Sequence, residues 1–271
     1  MYDEKYQGER VILKKLFILF VFLSCLAGCS SSAQDTKGDS QEVVEITVSA
    51  AASLTDALNE IKSQFEKEHP NIKVTFNFGS SGTLQQQILQ GAPADLFFSA
   101  AEDKFDELVK KGLIDEENAV DLVSNKLVLV TPIKSQKEIG SFSDLKEKAN
   151  KISIGIPETV PAGKYAKEML EAIGEWGNIE NKIVYSKDVR QVLTYVETGN
   201  VDAGIVYNTD ALVSSKVNVI ATAEEGTHTP IIYPIGVINE SENLEEAKTF
   251  FSYMKSEKAL MILEEYGLSN L

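Results

Sequence analysis

Short apolar strands in this sequence repeatedly lead straight into the start of a helix, and the residues at these junctions are small or carry hydroxyl groups. The first junction runs from Ile46 and Val48 to Ser53, where an amphipathic helix begins at once. The arrangement recurs at Ser80-Ser81-Gly82-Thr83, Val160-Pro161-Ala162-Gly163, Ser186-Lys187-Asp188-Val189 and Tyr207-Asn208-Thr209-Asp210. Such alternation of strands and helices predicts an α/β fold with mostly parallel strands.

The five junctions are expected to meet in space. An open α/β sheet gathers the carboxyl ends of its strands on one edge, and ligands bind in the crevice there. Each helix start presents backbone N–H groups that have no partner within the helix and therefore favour an anion. A single pattern such as Ser53-x-x-Asp56 is more often a capping box for its own helix. Their repetition predicts a shared anion pocket.

Length and charge restrict the class of protein. The chain has 271 residues, of which 43% are hydrophobic, so it can bury one or two sizeable cores. Its formal charge of −15 argues against nucleic acid or an anionic lipid surface as a binding partner. A small anion remains compatible, because exposed charges are screened beyond about 8 Å at physiological salt.

The N-terminal segment is typical of a signal peptide, predicted here over residues 1–28. Lys14 and Lys15 precede an apolar run from Leu16 to Leu23 that is too short to span a membrane. The segment Leu26-Ala27-Gly28-Cys29 resembles the lipobox of bacterial lipoproteins, which implies lipidation of Cys29. Residues 29–44 are polar and predict a flexible tether. The acidic lead from Met1 to Glu9 leaves open a start near Val11.

The residues that enzymatic chemistry requires are missing from the sequence. The segment Gly79-Ser80-Ser81-Gly82 does not match Gly-x-Ser-x-Gly, and neither His69 nor His228 lies in a sequence context that suggests a catalytic base. There is no phosphate-binding loop and no metal-ligand spacing in the sequence. We therefore predict a binding protein, with no catalytic residues and no cofactor.

Several motifs together resemble the molybdate-binding proteins of bacterial ABC importers, in order from about Glu45 to Leu271. The matching segments are Ala51-Ala52-Ser53-Leu54-Thr55, Gly91-Ala92-Pro93-Ala94-Asp95-Leu96-Phe97, Val160-Pro161-Ala162-Gly163, Asp188-Val189-Arg190 and Gly204-Ile205-Val206-Tyr207. The resemblance implies that the oxygens of molybdate are contacted by the hydroxyl groups of Ser53, Ser81 and Tyr207. It also implies contacts from the backbone amides of Ala162 and Val189. The chain departs from the pattern at Gly82, where some relatives carry a small hydroxyl residue, and this affects the stiffness of the loop.

The resemblance also implies a two-lobe type II periplasmic-binding-protein fold with the ligand in the cleft. Each lobe would contain a mixed, mostly parallel sheet flanked by helices. Lobe one is expected at residues 45–127 plus 235–271, and lobe two at 128–234. Strands near Lys126–Thr131 and Tyr233–Val237 are expected to cross between the lobes as a hinge.

We therefore expect a monomeric lipoprotein on the outer face of the cell membrane that delivers molybdate or tungstate to an ABC permease and ATPase. Molybdate, tungstate and sulfate are fully deprotonated and need only donors, whereas phosphate needs an acceptor. Asp188 is the nearest candidate acceptor, but we expect it to cap its own helix. Contributions from Lys164, Lys187 or Arg190 stay open. The alternative is an exported sensory or adhesion module for another oxyanion, such as sulfate.

Overall fold

The computed structural model describes residues 43–271, so the predicted signal peptide, Cys29 and the tether up to residue 42 lie outside the described part. Its strands are β1 (Val44–Ala51), β2 (Ile72–Gly79), β3 (Leu96–Phe98), β4 (Ala119–Ser124), β5 (Leu127–Pro132), β6 (Ile152–Gly155), β7 (Ile183–Ser186), β8 (Ala203–Tyr207), β9 (Val217–Thr222), β10 (Ile232–Val237) and β11 (Ser269–Asn270). Its helices are α1 (Thr55–Glu68), α2 (Ser81–Leu89), α3 (Glu102–Lys110), α4 (Leu145–Lys148), α5 (Pro161–Ala172), α6 (Trp176–Ile179), α7 (Val189–Glu197), α8 (Asn208–Leu212), α9 (Leu244–Met254) and α10 (Glu257–Glu265). None of these helices has the length and apolar character needed to span a membrane.

The strands form two mixed sheets flanked by helices, which confirms the predicted two-lobe fold. The first sheet has the order β11-β4-β10-β3-β1-β2, and the second has the order β7-β6-β8-β5-β9. Parallel pairing joins β1 to β2 and β3, and β6 to β7 and β8. The other pairs are antiparallel, so the sheets are less parallel than the sequence suggested. Parallel pairing of successive strands requires a crossover connection within one sheet. The chain reaches β5 and β10 from the opposite lobe instead, and both strands pair antiparallel with their neighbours.

The chain passes between the sheets in its connections and not within a strand. It leaves the first sheet after β4, at Asn125 and Lys126, and returns between β9 and β10. The predicted hinge strands, now β5 and β10, are each paired on both sides within one sheet. This prediction is corrected, because paired backbone groups hold a strand in its own ladder and leave bending to the unpaired connections. The predicted lobe limits themselves stay a prediction.

The helices pack on the sheets through stripes of apolar side chains. This packing places the first turns of the helices near the space between the lobes. Such stripes are buried on α1 and α7, with members Leu54, Ala57, Leu58, Ile61, Phe65, Val189, Val192, Leu193 and Val196. Burial of one such side chain stabilises the fold by about 1.5–3 kcal/mol. The stripe of α5 is buried through Leu170, but Ile173 at its end is 39% exposed.

Candidate anion-binding site

A small cavity between the lobes is lined by all of the predicted site residues. These are Ser53, Ser81, Ala162, Val189 and Tyr207, and they are joined by Ala51, Ala52, Gly79, Ser80, Ala100, Val160 and Pro161. Tyr207 ends a strand, and the other four lie at the start of the helix or helical turn that follows a strand, namely β1, β2, β6 or β7. The structure therefore brings the five junctions together, as expected for ligand sites in α/β sheets.

The first lobe contributes three buried serines, Ser53, Ser80 and Ser81. Ser80 is the N-cap of α2, and its Oγ accepts a hydrogen bond from the Thr83 amide at 3.4 Å. Ser81 is the first residue of α2 and is fully buried, and its Oγ accepts a hydrogen bond from the Ala100 amide at 2.9 Å. Because that amide can only donate, the hydroxyl hydrogen of Ser81 is left to donate to another acceptor.

Ser53 has a side-chain partner that the sequence analysis did not find. Its Oγ lies 2.9 Å from the Tyr233 hydroxyl, and Asn125 Nδ2 donates to that same hydroxyl at 3.1 Å. Tyr233 is fully buried on β10. A tyrosine within an otherwise apolar strand was the one sequence signal, because Ser53 and Tyr233 are 180 positions apart.

The second lobe contributes the first turns of two helices. Pro161 opens α5 and has no N–H, so the Ala162 amide is the first donor of that helix. The start of α5 packs so closely on β6 that a Cβ at Gly163 would lie 2.0 Å from the Gly155 carbonyl oxygen. Val189 is the first residue of α7, and Asp188 Oδ1 accepts from the Gln191 amide at 2.8 Å. Asp188 therefore caps its own helix, as predicted, and its carboxylate is not an acceptor for the cavity.

Tyr207 ends β8 with its side chain 1% exposed. Burial raises the pKa of its hydroxyl well above the ordinary value, and Tyr233 and other nearby groups reinforce the shift. The group therefore stays protonated and able to donate. Within residues 43–271 its oxygen has no hydrogen-bond partner. An unpartnered buried hydroxyl costs about 1–3 kcal/mol, which an acceptor in the cavity would offset.

The basic residues left open by the sequence lie outside the cavity lining. Arg190 contacts Asp56 of α1 through Nη2, and its Nη1 lies 3.5 Å from Asp210 Oδ1. Lys164 Nζ lies 3.2 Å from Asp103 of α3. Lys187 does not line the cavity either. In the described part of the chain, no cluster of three or more His, Cys, Asp or Glu side chains is arranged to hold a metal ion. The cavity therefore offers neutral donors.

Gly82 brings the lobes into direct backbone contact beside the cavity. Its N–H donates to the Thr159 carbonyl oxygen at 3.0 Å, from α2 to the loop that precedes α5. A Cβ at Gly82 would lie 2.7 Å from that oxygen and 2.8 Å from Thr159 Cα. The absence of a side chain thus permits the close approach of the lobes, a role of Gly82 that the sequence did not predict.

Asp210 is fully buried behind Tyr207, and its burial generates a pH prediction. Loss of solvent raises the pKa of this carboxyl to about 7, although Arg190 and the hydrogen bond from the Tyr207 amide oppose the shift. The folded protein therefore holds this proton more tightly than the unfolded chain, and the free energy of unfolding falls as pH rises from about 4 to about 7. We expect Asp210→Asn to remove this component, by up to about 1.4 kcal/mol per pH unit.

Urea unfolding across that pH range measures the free energy of unfolding of the ligand-free parent and of Asp210→Asn. The exposed Asp106→Asn serves as the control, because Asp106 lies on the exposed side of α3. Stability profiles that stay parallel for the parent and Asp210→Asn would contradict the assignment.

Comparison with known proteins supplies the family. The profile of a family described as bacterial extracellular solute-binding protein matches residues 46–269. A Bacillus subtilis relative named "Putative ABC transporter substrate-binding lipoprotein YvgL" is 51% identical over 261 residues, which cover 95% of this chain and 99% of the relative. The molybdate-binding protein ModA of Escherichia coli is 40% identical over 253 residues, covering 92% of this chain and 98% of that protein.

A solved structure agrees with the fold. The periplasmic molybdate-binding protein of Azotobacter vinelandii superposes with a TM-score of 0.76 at 23% identity, covering 83% of this chain and 99% of that one. These relatives are solute-binding proteins, which confirms the prediction that the chain is not an enzyme. The chain belongs to the bacterial extracellular solute-binding protein family and, within it, to the ModA-like substrate-binding proteins of ABC transporters.

Proposed function

We propose that this protein captures molybdate, and equally tungstate, outside the cytoplasm and delivers it to an ABC importer. The observation that carries the proposal is the cavity itself, in which the unpartnered Tyr207 hydroxyl lies with two serine hydroxyls and two helix starts. A fully deprotonated tetrahedral anion supplies acceptors for every one of these donors. Molybdate and tungstate are dianions of nearly equal size, so both leave the same donors satisfied.

The relatives support the choice of ligand. The Escherichia coli protein with 40% identity over 92% of this chain is named for molybdate binding. In the present chain the donors come from both lobes: Ser53 and Ser81 from one, and Ala162, Val189 and Tyr207 from the other. An anion contacted from both sides stabilises the closed arrangement through its greater affinity for that arrangement.

Removing single hydroxyl groups tests the site. A hydrogen bond to a charged partner contributes about 1.5–3 kcal/mol, so Ser53→Ala or Tyr207→Phe should weaken molybdate binding roughly ten- to a hundred-fold or more. Calorimetric titration with molybdate, tungstate, sulfate and phosphate provides the measurement. Ser252→Ala on the exposed side of α9 and Tyr253→Phe, whose hydroxyl bonds Glu68 at 3.4 Å, are matched controls away from the cavity. Sulfate binding as tight as molybdate binding in the parent would refute the assignment.

The contact at Gly82 predicts a variant that impairs closure of the lobes. A methyl group in Gly82→Ala would meet the Thr159 backbone, so the lobes could not approach as closely and several donors could not reach the anion together. We expect at least a roughly ten-fold loss of molybdate affinity, equivalent to about 1.4 kcal/mol.

Gly177→Ala is the matched control for this variant, since a Cβ there would meet nothing within 4 Å. Small-angle scattering with excess molybdate should show a less compact particle for Gly82→Ala than for the parent or the control. Equal compactness together with equal affinity would exclude a role of Gly82 in closure.

We also propose that the protein is a lipid-anchored monomer whose anchor is Cys29. The support is the sequence Leu26-Ala27-Gly28-Cys29, together with the Bacillus subtilis relative whose name includes lipoprotein. A diacylglycerol-modified terminus places two or more acyl chains in the bilayer, enough for stable anchoring. Residues 30–42 would tether the folded part near the importer's permease.

Replacement of the proposed lipidation residue tests the anchor. Cys29→Ser should move the protein from the membrane fraction to the soluble extracytoplasmic fraction, while molybdate affinity stays the same. Ser30→Ala, next to the proposed lipidation residue, should remain with the membranes. Membrane association of Cys29→Ser equal to that of the parent would show that the lipobox assignment is wrong.

A further inference from the structure

An arginine beside the cavity bridges two carboxylates that lie on different lobes. Arg190 is the second residue of α7, directly after Val189. Its Nη2 contacts Asp56 Oδ2 in the first turn of α1, which packs on the first sheet. Its Nη1 lies 3.5 Å from Oδ1 of Asp210 in α8, which follows β8 of the second sheet. One guanidinium group therefore links helix starts from both lobes.

Each of these helix starts also carries a residue of the proposed anion site. Asp56 follows Ser53 closely in the sequence, the arginine follows Val189, and Asp210 follows Tyr207 closely. Asp210 Oδ2 in addition accepts from the Tyr207 amide at 3.3 Å. The bridge therefore connects three of the segments that supply donors to the cavity, one from the first lobe and two from the second.

The end of the bridge in the second lobe is shielded from water. The Asp210 side chain is fully buried, and that of Arg190 is 26% exposed. Within residues 43–271, Arg190 Nη1 and Asp210 Oδ1 have no hydrogen-bond partner, so these two atoms face only each other. Opposite charges attract more strongly where water and salt screen them less. Asp210 thus holds the guanidinium group on the second lobe, in position to meet Asp56.

From this geometry we infer that Arg190 is a positioning residue of the anion site, which holds the two lobes together around the bound anion through its contact with Asp56. The inference rests on the proposed function and deepens it. Because α1 and α7 pack on different sheets, this contact forms only when the lobes lie together. An interaction present only in the closed arrangement stabilises that arrangement and slows release of the anion.

A second ion pair between the lobes provides the matched comparison. Lys164 Nζ of α5 lies 3.2 Å from Asp103 Oδ1 of α3, and its other carboxylate contact is Glu168 at 4.0 Å. Both carboxylates are partly exposed, and Asp103 is shared with Lys104. Lysine presents one mobile ammonium group, whereas the arginine fork can hold two carboxylates at once. Exposed ion pairs contribute little, so we expect this pair to contribute less to closure.

Removal of the Asp56 carboxylate separates positioning from simple attraction by charge. If Arg190 only attracted the anion, Asp56→Ala would remove a nearby negative charge and molybdate would bind more tightly. If Arg190 holds the lobes together, Asp56→Ala should weaken molybdate binding about five-fold or more. The loss should lie in faster dissociation, because the contact forms only after the anion has entered. Asp56→Glu keeps the carboxylate and should bind within about two-fold of the parent.

Asp103→Ala is the control, because it makes the same change of charge at the other ion pair between the lobes. Calorimetric titration with molybdate gives the affinity, and a chase of labelled molybdate with excess unlabelled molybdate gives the dissociation rate. A pH of about 8 keeps Asp210 mainly ionised, since burial raises its pKa to about 7. Arg190→Gln would also leave the buried Asp210 without its counter-charge, so the Asp56 variants carry the test. Thermal unfolding without ligand verifies that each variant is folded.

The outcomes separate this inference from the proposed function. Weaker binding and faster dissociation in Asp56→Ala, with recovery in Asp56→Glu, support the inference. Unchanged or tighter molybdate binding in Asp56→Ala overturns the inference and leaves the proposed function intact. Equal weakening in Asp103→Ala overturns it as well, because a general effect of charges between the lobes would then explain the loss. Failure of the parent to bind molybdate or tungstate overturns the proposed function and the inference with it.

Discussion

Hydrogen-bond donors gathered where the lobes meet are the constraint on which the arrangement of this structure depends. The helices that follow β2, β6 and β7 begin in the region where the lobes meet, and their first amides have no acceptor within the helix. The Tyr207 hydroxyl ends in the same space. Because such groups are costly to bury alone, the cavity is suited to a ligand that accepts hydrogen bonds from all directions.

The protein has a formal charge of −15, but the carboxylates nearest the cavity have partners of their own. Asp188 caps the helix that presents Val189, and Arg190 is engaged by Asp56 and Asp210. Under the proposed function, discrimination among anions depends on the size of the cavity and on its neutral donors more than on net charge. Neutral donors also avoid the desolvation cost of burying a cationic side chain beside the ligand.

Ser53 and Ser81 of the first lobe have different kinds of hydrogen-bond partner. Ser81 is oriented by a backbone amide within its own lobe, a few residues beyond β3. Ser53 is oriented by Tyr233 and Asn125, and Asn125 lies where the chain crosses between the lobes and also bonds Thr209 of the second lobe. The hydrogen-bond partners of Ser53 are therefore linked to the segment at which the chain crosses between the lobes.

Local pattern was sufficient to predict the α/β class and the residues at the five junctions. Strand alternation, helical periodicity and capping are encoded within a few neighbouring positions, and the rule for strand ends then brings the junctions together. The antiparallel entry of β5 and β10, the approach of Gly82 to Thr159 and the hydrogen bonds that link Asn125, Tyr233 and Ser53 could not be predicted in this way. They join residues as many as 180 positions apart, whose proximity is decided by how the sheets and lobes pack and not by local periodicity.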